Sequence, residues 1–230
     1  MGVRPLFAFL VLVISFTSAF VAPNMASKTL AQAIGKLNPE TTCLLLCDMQ
    51  QRFRPLIWRM ESVINTTRYM TSVAQALSIP ILVTQQYTKV FGETLDECFA
   101  DNQVPADLPV FDKKRFSMLT EPVQAKLDEW NKDSYIIVGI EAHVCLQQTC
   151  LDLRSQGKEV HVIADGVSSQ QPYDRHIALE RLVHAGCYLT TAQSAAFMLM
   201  QSADHENFKA ISKLTVEHMK ELNEFNDALK

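Results

Sequence analysis

The sequence predicts a three-layer α/β fold: a doubly wound, mostly parallel sheet with helices on both faces. Three observations predict it. Short, nearly continuous apolar runs such as Thr42-Cys43-Leu44-Leu45-Leu46-Cys47 are what a strand buried on both faces needs. Stretches with helical periodicity separate these runs, so strand and helix alternate along the chain, the order that builds parallel sheets. Two helical stretches are followed by Gly157 and Gly186, where a helix C-cap takes a left-handed residue.

Residues 42–47 form the first strand, and residues 60–78 a helix that Ser78-Ile79-Pro80 ends. Residues 80–84 form the second strand. A helix over 119–131 starts from Thr120 with Pro122 at an early position, where a missing N–H costs nothing. Residues 135–140 are another buried strand, followed by a helix over 143–156, a strand over 160–165, a helix over 174–185 and a last strand over 188–191. Residues 207–228 read as a charged terminal helix that serves packing or oligomerisation rather than chemistry. The layout is Rossmann-like, with the domain over 39–206 and the terminal helix in 207–230.

A chain of 230 residues fits one domain large enough to bury a core without cross-links. With 48% hydrophobic and 20% charged residues and a formal net charge of -4, it has neither the basic excess of a nucleic-acid binder nor the low apolarity of a disordered chain. Nucleic acid is therefore not an expected partner. The six cysteines are not a disulfide framework: Cys43 and Cys47 share one strand, where residues four apart lie about 13 Å from each other, beyond bridging distance. All six read as reduced.

The N-terminus is a separate matter. Arg4 precedes the apolar run 6–14, and Thr17 and Ala19 suit the -3 and -1 positions of a signal-peptidase site. The run is short for a membrane span, so residues 1–19 read as a leader, with no membrane association expected after cleavage. Ser18-Ala19-Phe20-Val21-Ala22-Pro23 resembles the Phe-centred junction of bipartite leaders that target proteins to algal secondary plastids, and residues 21–38 hold no Asp or Glu, as a transit segment over 20–38 requires. A plastid is the expected destination. The secretory pathway, a mitochondrion, an uncleaved anchor and a start at Met25 are the alternatives.

In open α/β sheets ligands bind beyond the carboxyl ends of the strands, which directs attention to Asp48, Gln85 to Tyr87, Cys145 and Asp165. Cys145 ends Val138-Gly139-Ile140-Glu141-Ala142-His143-Val144-Cys145, where a strand gives way to a helix. Unpaired N–H groups at a helix N-terminus lower a nearby thiol pKa and welcome an oxyanion. The competing reading is packing, since free Cys is among the most buried residue types. Asp48 follows Cys47 at the same edge, where an acid also serves as a cap or turn former. Lys113, Lys114 and Arg115 are three consecutive cations, usually a solvated surface, but Val110-Phe111 and Phe116 on either side leave room for one to point inward.

Asp48 in Leu46-Cys47-Asp48-Met49-Gln50, Lys113 four residues before Ser117, and Gly139-Ile140-Glu141-Ala142-His143-Val144-Cys145 together resemble the isochorismatase-like cysteine hydrolases, which include nicotinamidases and N-carbamoylsarcosine amidases. The resemblance spans residues 40–215 and is greatest to the animal-type isochorismatase domain-containing proteins, with Leu151-Asp152-Leu153 and Asp165-Gly166-Val167-Ser168-Ser169 among the supporting runs. It implies a catalytic triad of Asp48, Lys113 and Cys145. Asp48 takes the thiol proton, Lys113 holds the carboxylate, and Cys145 attacks a carbonyl to give a thioester. The resemblance also implies an oxyanion hole made by the main-chain N–H groups of Glu141 and Cys145, with a non-proline cis peptide at Ile140-Glu141. Lys113 is preferred to Lys114 by its four-residue spacing to Ser117.

Metal-dependent members of that superfamily carry an Asp-x-His motif and a further His before the lysine, whereas residues 49–112 contain no histidine, so neither a metal nor another cofactor is expected. No Gly-x-Gly phosphate loop occurs. The cysteine favours amide or related acyl chemistry over the vinyl-ether chemistry of isochorismatases proper. Phe53, Gln85, Tyr87, Phe116, His143 and Val144 flank the triad residues and are the candidate lining of a pocket for a small-molecule substrate. The resemblance further implies a homo-oligomer. The resulting expectation is a metal-free hydrolase of a small amide or related C–N substrate; its competitor is a catalytically silent protein of the same fold whose terminal helix docks a partner. A peroxide-sensing pair of Cys145 and Cys150 is disfavoured, because helical residues five apart point to different faces.

Overall fold

Each apolar run that predicts a strand forms one in the computed structural model, which describes residues 34–225. The strands are β1 (Thr42–Cys47), β2 (Ile81–Gln86), β3 (Val110–Lys113), β4 (Ser134–Gly139), β5 (Glu159–Val167) and β6 (Tyr188–Thr190). They make one sheet in the order β3-β2-β1-β4-β5-β6, and all five pairings are parallel. The chain runs outward from β1 to β3 and returns on the other side of β1 with β4. β1 and β4 therefore flank the switch point, the place where an open α/β sheet leaves a crevice for a ligand.

The helices are α1 (Met60–Ala76), α2 (Thr88–Phe91), α3 (Glu121–Trp130), α4 (Gln147–Ser155), α5 (Pro172–His184), α6 (Ala192–Met200) and α7 (Phe208–His218). They cover both faces, and β1 shows why its sequence is unbroken apolar. Successive strand side chains leave opposite faces. Leu44 and Leu46 pack with Val63 and Met70 of α1, Ala195 of α6 and Ile211 of α7. Cys43, Leu45 and Cys47 pack with Leu127 of α3, Leu153 of α4 and Leu182 of α5. Burying a leucine stabilises by about 1.5–3 kcal/mol, and a strand with no wet face gains this on both sides. Of the described residues, 35–225 form one compact unit.

Gly139 ends β4 with φ at 118°, and a Cβ there would lie 2.1 Å from the Cys47 carbonyl oxygen. Only glycine lets β4 close on β1 at this level. Gly157 and Gly186 take the expected left-handed conformation, with φ of 76° and 83°.

Several elements differ from the sequence expectation. β3 falls in a segment with no long apolar run, because it is an edge strand on which Val110 and Asp112 are exposed and only Lys113 is buried. α6 is almost wholly apolar and so shows no polar face; it starts at Thr191, whose side chain accepts from the Ser194 N–H at 3.4 Å. The helix expected over 143–156 begins instead as a π-helical turn, Ala142–Leu146, before α4. The terminal helix expected over 207–228 stops at His218. Beyond it the chain folds back onto α1: the Asn65 amide donates to Leu222 O at 3.2 Å, and the Glu224 N–H donates to Ser62 Oγ at 2.9 Å. Phe225 meets Trp58 edge-on at 5.6 Å. Residues 226–228, the leader over 1–19 and most of the segment 20–38 lie outside the described residues. Among the described residues no helix is long and apolar enough to cross a membrane.

Candidate active site

Strand register brings the site together. Cys47 pairs with Thr84 on one side and Gly139 on the other, and Gln86 pairs with Lys113. Asp48 thus leaves β1 at the switch point, with φ of 51°, a left-handed turn that Asp tolerates better than most residues. From the edge strand, the Lys113 side chain reaches back across the end of β2. Its Nζ donates to Asp48 Oδ2 at 2.7 Å, Gln86 Oε1 at 2.7 Å and Phe116 O at 2.9 Å, with Arg115 O at 3.3 Å. An ammonium has three donors, and all are engaged. Thr84 Oγ1 donates to the other carboxylate oxygen at 2.8 Å. The pair is buried, with side-chain exposures of 0% and 1%, so its charges persist through these partners rather than through water.

Burial pushes the Asp48 carboxyl above its ordinary range, opposed by the Lys113 ammonium and by hydrogen bonds from Lys113, Thr84 and Cys145. Burial acts against the Lys113 charge, but the neighbouring Cys47, Asp48 and Cys145 outweigh it and raise the ammonium above its usual value. The Cys145 thiol is pushed up to about 12, first by burial and then by the Asp48 carboxylate, with Lys113 pulling the other way. This reverses the lowering that a helix N-terminus alone would give. At 7% exposure and beside Asp48, the sulfur keeps its proton at neutral pH.

The segment between β4 and α4 is fixed by its main chain. The Ala142 N–H donates to Ser168 O at 2.8 Å, while the Val144 and Leu146 N–H groups donate to Glu141 O at 3.1 and 3.2 Å. The Ile140-Glu141 peptide is cis. The Glu141 carboxylate accepts from the Gln170 N–H at 3.2 Å and from Gln170 Nε2 at 2.9 Å, tying this segment to the loop after β5.

A cavity of about 260 Å³ opens onto Asp48 and Cys145. Gln86, Glu141 and Gln170 complete its polar lining; Phe53, Leu56, Phe91, Phe116 and Val144 make the apolar part. Phe53 and Phe91 stack at 4.5 Å. Of the residues expected from sequence, Asp48, Cys145, Glu141, Phe53, Phe116 and Val144 thus meet at one cavity, with Lys113 directly behind Asp48. Gln85, Tyr87 and His143 lie elsewhere. Gln85 occupies the opposite face of β2, donating to Thr94 Oγ1 at 2.9 Å, and its neighbour Gln86 takes the place beside Lys113. Tyr87 is part-exposed beneath the Lys114 ammonium at 4.9 Å. His143 stands just behind the lining, with Nδ1 3.0 Å from Ser169 Oγ and 3.7 Å from Glu141 Oε2, and Nε2 3.9 Å from Asp174. Asp165 caps α6, accepting from the Ala192 N–H at 2.9 Å.

Thr84, Leu56, Phe91 and Gln170 are absent from the sequence expectation, and Gln86 enters it only within the strand-end stretch 85–87, not among the pocket candidates. Strand parity could have found Thr84 and Gln86, which share one face of β2; nothing in the local pattern marks the other three. All six cysteines are free and buried, and the Cys150 thiol is hydrogen-bonded to Cys187 rather than to Cys145. Among the described residues no group of three or more His, Cys, Asp or Glu side chains converges as a metal site would require.

Fold and site define a class: a doubly wound α/β protein whose thiol, carboxylate and ammonium meet above the switch point of its sheet. Residues 42–194 match the family model for the isochorismatase domain. The chain is 41% identical over 203 residues to the secreted isochorismatase effector Isc1 of Phytophthora sojae, covering 87% of this chain and 97% of that protein. It is 40% identical over 182 residues to isochorismatase domain-containing protein 2 of Danio rerio, covering 79% and 90%. The solved structure of the MAR1 ribonuclease from Caenorhabditis elegans superposes with a TM-score of 0.75 at 38% identity, covering 79% of this chain and 92% of that one. The chain belongs to the isochorismatase-like hydrolase family.

Proposed function

We propose that this protein is a cysteine hydrolase of a small amide or related C–N substrate. One observation carries the reading: a buried, fully hydrogen-bonded Asp48–Lys113 pair stands beside the Cys145 thiol on a cavity sized for a small molecule. Asp48 takes the thiol proton as Cys145 Sγ attacks the substrate carbonyl, so the thiolate need never exist free at neutral pH. Burial raises the Asp48 carboxyl and so makes it a stronger base, while the Lys113 charge opposes the rise of the Cys145 thiol. The main-chain N–H groups of Glu141 and Cys145 receive the oxyanion. Protonated Asp48 then gives its proton to the leaving nitrogen, which departs and leaves a thioester. Water attacks that thioester with Asp48 as base; the carboxylic acid departs and the sulfur recovers its proton.

The test is ammonia release from a panel of small amides and ureides, comparing wild type with Cys145→Ala. Turnover that vanishes in the variant, with an acyl adduct on Cys145 by intact mass in the wild type, is the expected result. Full activity in Cys145→Ala would sink the cysteine mechanism. The names of two relatives put a vinyl ether and RNA beside the amides as substrate classes, and both belong in the panel. Silence across all of them favours a non-catalytic interaction protein of the same fold. A homo-oligomer is part of the same proposal and is checked by light scattering. The Phytophthora sojae relative described as secreted supports the secretory alternative for the leader, and residues 1–38 fused to a fluorescent protein separate it from a plastid destination.

A further inference from the structure

The cavity joins two carboxylates to an apolar wall, and it offers no cation. Among the described residues its lining contains Asp48 and Glu141 but no lysine, arginine or histidine. Lys113, the cation behind it, has every proton engaged by Asp48, Gln86 and the carbonyls of residues 115 and 116. Of the arginines on nearby segments, Arg54 is committed to Glu61 and Glu97 at 2.8 and 2.7 Å and Arg115 to Asp152 at 2.9 Å, while Arg52 is exposed and outside the lining. A carboxylate entering this space would meet the Glu141 carboxylate and an Asp48 already balanced by Lys113, and would find no cation in the lining to replace the water it gives up; His143 lies behind Glu141, 3.7 Å from its carboxylate.

Resting on the hydrolase reading above, we infer that the site selects the uncharged primary amide of a small apolar acyl group and rejects acyl groups that carry a carboxylate. The stacked Phe53 and Phe91, with Leu56, Phe116 and Val144, receive the acyl chain. When ionised, the side chains of Asp48 and Glu141 accept hydrogen bonds and donate none, so they suit the two N–H donors of an amide nitrogen rather than another anion. A volume of about 260 Å³ holds an acyl chain of a few carbons.

Two aldehydes of similar size test this: 3-methylbutanal, which is neutral, and 4-oxobutanoate, which carries a carboxylate. Each adds to Cys145 by forming a C–S bond as the carbonyl π bond opens; the thiol proton ends on the new hydroxyl, giving a reversible hemithioacetal with no leaving group. Protection of Cys145 against iodoacetamide at pH 9, followed by peptide mass, reads occupancy. Half-protection by 3-methylbutanal is expected at a concentration about tenfold or more below that for 4-oxobutanoate, in keeping with charge repulsion at short range. Equal or better protection by 4-oxobutanoate overturns the selectivity and leaves the cysteine chemistry standing. No protection by either aldehyde overturns the hydrolase reading, and the selectivity with it. Leu56→Arg, at a half-exposed position of the wall, separates charge from shape: it is expected to bring the two aldehydes within about threefold of each other, as a new counter-charge should. An unchanged preference in that variant overturns the charge argument.

Discussion

At the carboxyl end of the sheet Asp48 and Lys113 are buried as a fully hydrogen-bonded pair, whereas at the amino end Glu159 and His161 are buried with polar atoms left unpartnered. Both groups lie on strands of the same sheet or, for Asp48, directly after one, and both are shielded from water. The difference is in partners. Lys113 and Asp48 meet each other at 2.7 Å and are joined by Thr84, Gln86 and two carbonyls. His161 Nε2 stands 4.0 Å from Glu159 Oε2, and neither His161 Nε2 nor Glu159 Oε1 has a hydrogen-bond partner among the described residues. Burial alone lowers His161 to about 4 and raises the Glu159 carboxyl, although Ser134 donates to it at 2.7 Å. Burial disfavours charge at both ends; at Asp48 an ammonium and three hydrogen bonds oppose it, whereas nothing opposes it at His161.

The sharpest way to break this contrast is Asp48→Asn, which leaves the Lys113 ammonium buried without a counter-charge. We expect a loss of about 3–5 kcal/mol in urea denaturation and at least about a hundredfold loss of hydrolysis; a cost under about 1 kcal/mol would erase the difference between the two ends. The next largest effect concerns His161. Its folded value of about 4 lies below its ordinary 6.5, so the unfolded chain takes up the proton first. The stability this represents is present above pH 6.5 and is lost as pH falls through the window down to about 4, roughly 3 kcal/mol in full. Glu159 works in the opposite sense: raised in the fold, it favours the native state below its ordinary value and gives that up as pH rises. Thermal melts from pH 4 to 7 should therefore show a steeper acid loss in wild type than in His161→Gln, and parallel curves would remove the assignment to His161.

Thr84→Val tests how much of the carboxyl-end stability is in one donor. Removing a hydrogen bond to a carboxylate should cost about 1.5–3 kcal/mol. Because that bond lowers the Asp48 pKa, its loss should also move the acid limb of kcat/KM to higher pH. The smallest effect is expected from Glu159→Gln, the same carboxylate-to-amide edit as Asp48→Asn made at the other end: a change within about 1 kcal/mol, since no buried cation depends on it. Equal costs for the two edits, measured side by side in urea, would show that partners do not distinguish the ends.

Much of the fold is legible because burial on both faces writes itself as an apolar run, as in 42–47 and 135–140. β3 is not legible that way: an edge strand with exposed residues needs few apolar side chains, and its segment looks like a solvated basic turn. α6 is hidden for the opposite reason, being apolar on nearly all sides. Within the site, Asp48 and Cys145 are readable because both follow strands directly. Gln85 was expected in place of Gln86 because adjacency in sequence ignores strand parity: neighbouring residues leave opposite faces, and register with β3 puts Gln86, not Gln85, beside Lys113. Leu56, Phe91 and Gln170 come from loops distant in sequence, and only the tertiary structure joins them.

The inward turn of Lys113 has a consequence for how copies of this chain behave in company. β3 is one rim of the sheet, four residues long, and β6 is the other, with three. An open rim displays unpaired N–H and C=O groups to any extended segment that drifts by, and a short strand carrying a charge folded inward is a poor template for such pairing. With Lys113 turned inward and Asp112 exposed, two of the four residues of this rim carry charge, which disfavours zippering into aggregates.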